Sequence, residues 1–228
     1  MDISSTLRSC GMRNLLLAVL LLTAALSFIS PPYPNELLLQ HIPTLLGTGL
    51  LVWYERRFGM SMPAFSCSIA FLFLHVVGAR WIYSYVPYDA WFQSLFGFTI
   101  SGVFGFHRNH YDRLVHFCYG LLLSNVVREI ALRRFGLRPG VARFIAVEFI
   151  MASSMLYELF EYLIAVLLSP ESAEAYNGQQ GDMWDSQKDM ALAMFGALLT
   201  IGIVWLRERR AAARAGRPTA TEPPTLSL

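Results

Sequence analysis

Long apolar stretches separated by short polar segments dominate the pattern of this chain. A helix that crosses the hydrocarbon core of a bilayer needs about 20 mostly apolar residues, and six stretches qualify. Their approximate bounds are 14–30, 37–53, 62–85, 112–127, 141–168 and 189–206. The pattern therefore predicts an all-α, polytopic membrane bundle of six transmembrane helices.

The first stretch has a second interpretation, as a cleaved signal peptide. Arg8 and Arg13 precede its apolar run, as the basic region of a signal peptide would. No A-x-A cleavage site follows, and Pro31-Pro32 occupies the place where cleavage would fall. These features favour a transmembrane helix.

Residues 87–106 form a further apolar segment that does not fit the pattern of a span. The segment is rich in aromatic residues but is interrupted by Gly97, Gly102 and Gly105, and its longest uncharged run is short. We predict one interfacial or re-entrant helix on the outer side of the membrane.

Composition supports the membrane assignment. Of the 228 residues, 55% are hydrophobic and 15% are charged, whereas about a quarter of a soluble domain is charged. The three cysteines, Cys10, Cys67 and Cys118, are too few for a disulfide framework or a zinc ribbon.

Basic residues lie on one side of the predicted bundle. Six spans place 14 of the 18 basic residues at the N-terminus, in two loops and in the tail, all on the same face. Because basic loops are retained in the cytoplasm, both termini are predicted to be cytoplasmic. The predicted organisation is a cytoplasmic N-terminus (1–13), a transmembrane domain (14–206) and a basic, disordered cytoplasmic tail (207–228).

Ionisable residues gather at the other side, at the outer ends of the predicted spans. Asp112 and His116 are four residues apart on the fourth span, and Asp185 and Asp189 have the same spacing at the start of the sixth. Glu158 lies inside the fifth span, followed three residues later by a second glutamate. Such spacings put each pair on one helix face, and intramembrane charges favour a functional site.

Several carboxylates at one depth require bound metal, arginine partners or bound protons. A mixed carboxylate and imidazole set suits one divalent ion such as Zn or Mn. The predicted metal ligands are Asp112, His116, Glu158, Asp185 and Asp189. The predicted catalytic residues are Glu158, Glu161, His110 and Arg113. The predicted substrate-binding residues are Arg80, Arg108, His75 and Tyr157.

Structural roles remain an alternative for each group. Asp112 and Asp189 stand at helix starts, where carboxylates act as caps. Glu158 and Glu161 could pair with arginines on other helices, such as Arg80, and so hold the bundle together.

The same residues carry a family resemblance. The stretch from Arg108 to Phe117, the run from Tyr157 to Glu161 and the run from Gly181 to Asp185, continued by Gln187 to Met190, resemble signatures of the YjdF-like family of bacterial inner-membrane proteins. The resemblance implies a multi-pass protein of the bacterial inner membrane and implies no activity.

A fainter resemblance is to VanZ-like membrane proteins. Asp112, His116 and Asp189 match their motif positions, whereas Glu161 and Ala193 replace a glutamine and an asparagine.

Three functions are compatible with this pattern. The first is a metal-dependent site that binds or acts on a lipid-linked or phosphorylated ligand, the second a transporter or small-ligand binding protein, and the third a structural accessory protein. Membrane lipids are predicted partners and nucleic acid is not, since an arginine-rich cytoplasmic face matches anionic headgroups.

Overall fold

The computed structural model describes residues 3–167 and 180–215. Within these residues the regular structure is entirely helical, which confirms the predicted helical membrane bundle. The helices are α1 (Ile3–Ser27), α2 (Pro34–Phe58), α3 (Met62–Arg80), α4 (Tyr88–Phe96), α5 (Ile100–Phe104), α6 (Tyr111–Phe135), α7 (Pro139–Leu167) and α8 (Asp185–Ala215).

Five helices, α2, α3, α6, α7 and α8, are long and apolar enough to cross a membrane. The apolar part of α1, Gly11–Ser27, is shorter. It nevertheless packs on α3, and Leu20 is buried in the core there. Of the six predicted spans, five thus correspond to helices long enough to cross a membrane, and the first corresponds to a shorter apolar helix.

Helix boundaries differ from the prediction at the ends of the third and the last span. The third span was expected to reach Tyr85, but α3 ends at Arg80 because Ile82 and Tyr83 have φ of 44° and 57°. The last span was expected to end at Leu206, but α8 continues to Ala215. Residue 168 and the tail beyond 215 lie outside the described residues.

The apolar segment 87–106 forms two short helices rather than one. Gly97 and Gly105, with φ of 78° and 67°, end α4 and α5 in the left-handed conformation that glycine adopts most easily. Neither helix buries a residue. The two helices are joined by a hydrogen bond from the Ser101 N–H to Asp89 Oδ1 (2.9 Å).

The centre of the bundle is formed by α6, which packs on α3, α7 and α8. Its contact with α8 is a backbone contact between small residues. A Cβ on Gly120 would lie 1.9 Å from the Ala193 carbonyl oxygen, and a Cβ on Gly196 would lie 2.3 Å from the Phe117 carbonyl oxygen. Only glycine permits this approach, so the sequence sets how closely α6 and α8 pack.

Ion pairs bind the helices together at the end of the bundle formed by the α6–α7 connection and the end of α8, here called the arginine-rich end. Glu208 of α8 accepts hydrogen bonds from Arg128 of α6 and from Arg143 of α7, the latter at 2.5 Å. Arg13 of α1 pairs with Glu55 of α2. The opposite end, where α6 and α8 begin, is here called the acidic end.

Candidate functional site

The acidic end is assembled from three helix stripes with four-residue spacing. On α6 the buried residues Asp112 and His116 continue into Gly120, on α8 Asp189 continues into Ala193, and on α7 Ser154 precedes Glu158. Residues four apart share a helix face. The glycine contact between α6 and α8 therefore brings the polar ends of the stripes together.

We define the inner carboxylate cluster as the buried ionisable residues at these stripe ends: Asp112, His116, Glu158, Glu161 and Asp189. One ligand atom each from Asp112, His116 and Asp189 lies within 4.8 Å of the others. His116 Nε2 is 3.5 Å from Glu158 Oε1 and 3.7 Å from Asp112 Oδ1. The three helices thus converge on one point.

The two distances from His116 Nε2, 3.5 and 3.7 Å, are longer than direct hydrogen bonds and resemble the distance between two ligands of one ion. Two ligands bonded at about 2.1 Å to one tetrahedral ion lie about 3.4 Å apart, close to the distances around His116 Nε2. By contrast, hydrogen bonds between nitrogen and oxygen have a length of about 2.9 Å. The donor set, imidazole with carboxylates, is one that Zn and Mn accept.

Two carboxylate oxygens of the cluster lack hydrogen-bond donors among the described residues. They are Glu158 Oε1 and Asp189 Oδ1, whose residues are 7% and 2% exposed. A buried polar atom without a partner is unfavourable and calls for an ion, a proton or water. Ser186 is a polar neighbour of the Glu158 carboxylate, and Tyr157 is a polar neighbour of the Glu161 carboxylate.

A second group at the acidic end is an ion-pair network of Arg108, Arg113, Asp182, Asp185 and Lys188. Arg108 binds Asp185 through two hydrogen bonds of 2.8 and 3.2 Å. Arg113 donates to the same carboxylate at 3.1 Å and also to Asp182. The network sets three cations against two carboxylates, so it carries a formal charge of about +1.

Asp182 and His110 lie in the network region, outside the membrane-spanning helices. The hydrogen bond from Lys188, at 2.6 Å, holds the pKa of Asp182 well below its usual range, with further contributions from the Trp184 N–H and Arg113. Burial, followed by the charges of Arg113 and Arg108, lowers the pKa of His110. His110 Nδ1 is 3.3 Å from Arg113 Nη1, so a neutral imidazole accepts that bond.

A reciprocal pair of amide hydrogen bonds fixes the segments that lead into α6 and α8. The Asn109 N–H donates to Gln180 Oε1 at 2.9 Å, and Gln180 Nε2 donates to the Asn109 carbonyl oxygen at 3.1 Å. Because Arg108 and Asp182 adjoin these residues, the pair keeps the network next to the inner cluster.

The structure thus divides the predicted metal ligands. Asp112, His116, Glu158 and Asp189 meet in the inner cluster, whereas Asp185 binds Arg108 and Arg113. Glu161 joins the cluster electrostatically through Asp112.

The predicted substrate-binding residues are likewise divided. The Arg80 guanidinium donates to the Ser27 and Ile29 carbonyl oxygens at the end of α1, at 2.6 and 3.2 Å. His75 bonds to Tyr83 and to the Gln40 carbonyl oxygen. Tyr157 remains at the cluster, with its ring 5.9 Å from that of His116.

An apolar cavity of about 510 Å³ adjoins the inner cluster and was not predicted from the sequence. Its walls come from α2, α3, α6 and α7, and His116, Asp112 and Tyr157 line its polar end. At the other end it reaches Tyr54 and Ile130, near the arginine-rich end. The cavity therefore runs along the bundle beside α6.

The walls of this cavity are mostly apolar. Leu50 and Phe149 in its walls are largely exposed, so the cavity is open to its surroundings rather than sealed. We therefore expect apolar material to fill it.

Ser186 and the cavity are the parts of the site that sequence reasoning missed. Ser186 directly follows Asp185 in the first turn of α8, a position at which a hydroxyl can turn towards a neighbouring helix. This position is the only sequence feature that could have indicated Ser186. The cavity has no such signal, because it depends on how four helices are spaced.

Comparison with known proteins gives two matches. Residues 12–210 match the model of a family described as "Predicted membrane protein (DUF2238)". The chain is also 32% identical, over 165 residues, to the inner membrane protein YjdF of Escherichia coli (strain K12), an alignment that covers 72% of this chain and 75% of that protein. No solved structure matches the chain.

Proposed function

The chain belongs to the DUF2238 family of predicted membrane proteins, and we propose that it binds one divalent metal ion in the inner carboxylate cluster and, through it, the anionic group of a phosphorylated or lipid-linked ligand. Asp112, His116 and Asp189 are the proposed ligands, with Glu158 as a fourth. The observation that carries the proposal is the pair of buried oxygens without donors, Glu158 Oε1 and Asp189 Oδ1.

The charge balance of the two groups supports a cation. Carboxylates at 4 Å repel by about 4 kcal/mol at an effective dielectric of 20. Arginine was one possible counterion, but Arg108 and Arg113 bind Asp182 and Asp185. The described ion pairs of Asp112 and Glu158 are both with His116, which leaves a metal or bound protons to offset the repulsion.

The metal, rather than a free arginine, is then the group that meets an anionic ligand. Glu161 is the proposed proton acceptor beside it, because it is buried in the cluster and is not one of the proposed ligands. Arg108 and Arg113 have a positioning role, since they hold Asp185 at the start of α8.

The location proposed for the site follows from charge. The relative in Escherichia coli is named an inner membrane protein, and basic loops are retained in the cytoplasm. The arginine-rich end is therefore proposed to be cytoplasmic and the cluster to face outward. Reporter fusions after Arg57, Arg134 and Arg210 should act as cytoplasmic and a fusion at His107 as external; an external signal at Arg134 would reverse the orientation.

Metal analysis tests the binding proposal. Protein purified without chelator should contain about one divalent ion per chain, and chelation should lower the melting temperature until Zn or Mn is added back. Asp189→Asn and His116→Gln should lose the ion, whereas Glu208→Gln at the arginine-rich end should keep it. The metal site would be refuted if the purified protein contained no metal and its melting temperature changed with neither chelator nor added ions. That result would favour bound protons.

A further inference from the structure

The cavity beside α6 has the chemistry of a site for one lipid chain. We propose that it holds the apolar chain of a single-chain amphiphile whose phosphate is bound at the inner carboxylate cluster. This inference rests on the proposed function for the phosphate and on the cavity for the chain, and the experiment below separates the two.

The cavity walls are mainly apolar, and the ionisable residues of the inner cluster that line the cavity lie at one end. Asp112, His116 and Tyr157 line one end, and the walls beyond them are mainly apolar, with Leu51, Leu123 and Val126 among them. A polar ligand would leave its hydrogen-bonding groups without partners along these walls. An amphiphile with one charged end and one apolar chain matches both parts.

The cavity opens sideways between α2 and α7, where lipid would lie. Leu50 of α2 and Phe149 of α7 both line it, yet they are 63% and 52% exposed. Each of these two helices packs on another wall of the cavity: α2 packs on α3, and α7 packs on α6. A chain could therefore enter from the bilayer without crossing the polar end.

The length of the cavity also suits a lipid chain. His116 and Ile130 both line it, and 14 residues of helix between them span about 21 Å. One leaflet of a bilayer has a hydrocarbon depth of about 15 Å, half of the full core. A chain that fills one leaflet fits within the cavity with its polar end at His116.

The test uses the full chain in nanodiscs and a long-chain alkyl phosphate that carries a diazirine on its chain. After photolysis, adducts are expected on Leu123 and Val126, inside the cavity. Leu50→Trp would narrow the mouth and should lower these adducts at least severalfold. Leu45→Trp is the matched control, because Leu45 is 72% exposed on the same helix and does not line the cavity.

Two further arms separate the sources of phosphate and the two proposals. Unlabelled alkyl phosphate should displace the probe at far lower concentration than inorganic phosphate, and equal potency would mean that the site takes free phosphate. The chain site alone would be overturned if adducts formed only on lipid-facing residues such as Leu45 and Leu114. This conclusion requires that the protein still binds metal and keeps its melting temperature. Cavity adducts in protein that binds no metal would overturn the metal site and the phosphate contact that depends on it, and would support the chain site.

Discussion

The two ends of this bundle contain the same types of ionisable side chain but arrange their charges differently. At the arginine-rich end, each carboxylate in a described ion pair meets an arginine: Glu208 bridges Arg128 and Arg143, and Glu55 meets Arg13. At the acidic end, the inner carboxylates face one another around His116. Paired charges hold helices together, whereas like charges brought together require an ion, bound protons or water between them. The number of carboxylates alone therefore does not identify a site.

Two aspartates at the acidic end show the same difference between paired and unpaired carboxylates. Asp185 and Asp189 are one turn apart on α8, yet Asp185 binds two arginines and Asp189 has an oxygen without a donor. The two residues share a helix face and a sequence motif. The difference comes from Arg108 and Arg113, which approach from the start of α6.

The largest expected effect is that of Gly120→Ala, which would break the contact on which the inner cluster depends. The new Cβ would lie 1.9 Å from the Ala193 carbonyl oxygen, so α6 and α8 must separate. We expect a loss of roughly 3 kcal/mol of stability together with loss of bound metal, measured as melting temperature and metal content. Gly202→Ala on α8 is the control, since its Cβ would meet nothing within 4 Å; an unchanged Gly120→Ala protein would contradict the packing account.

Glu158→Gln should affect binding without weakening the fold. The substitution removes one negative charge from the cluster, and we expect metal affinity to fall about 10–100-fold. The metal-free protein should melt at the same or a higher temperature, because repulsion among the carboxylates decreases. Severe unfolding would instead mean that Glu158 holds the helices together.

Glu208→Gln should show the reverse pattern at the arginine-rich end. Arg128 and Arg143 would lose their shared partner, which is 34% exposed. We expect a loss of about 1–2 kcal/mol of stability, between the values for exposed and buried pairs, with unchanged metal affinity. The comparison between the two ends fails if Glu208→Gln releases the metal.

Asp182→Asn should have the smallest effect, and that effect should depend on pH. The hydrogen bond from Lys188, followed by those from the Trp184 N–H and Arg113, lowers the folded-state pKa of Asp182 below its usual value of 3.8. Its contribution to stability is therefore present above pH 3.8 and is lost as pH falls through the lower folded value. Melting temperatures of the two proteins should differ at pH 7 and converge in acid; a constant difference would show that the charge of Asp182 is not involved.

The helices and the inner cluster were largely predictable from the sequence, because both follow simple periodicities. Apolar length marked the spans, and charges four residues apart, such as Asp112 and His116, marked a polar face. The turn after Arg80 was not predictable, since Ile82 and Tyr83 adopt positive φ without any glycine. The pairing of Asp185 was equally hidden, because it depends on arginines more than 70 positions away in the chain.

The glycine contact between α6 and α8 has a mechanical consequence. Two helices that touch backbone to backbone cannot slide or tilt independently. The pair that carries Asp112 and Asp189 therefore moves as one rigid unit. Movement that admits or releases a molecule must then come from a less anchored wall. Of the helices that line the cavity, α2 has its main contacts with α3, and it contains Pro43 within its length, a residue that removes one backbone hydrogen bond from a helix. We therefore expect α2, rather than α6 or α8, to move when the cavity admits or releases a molecule.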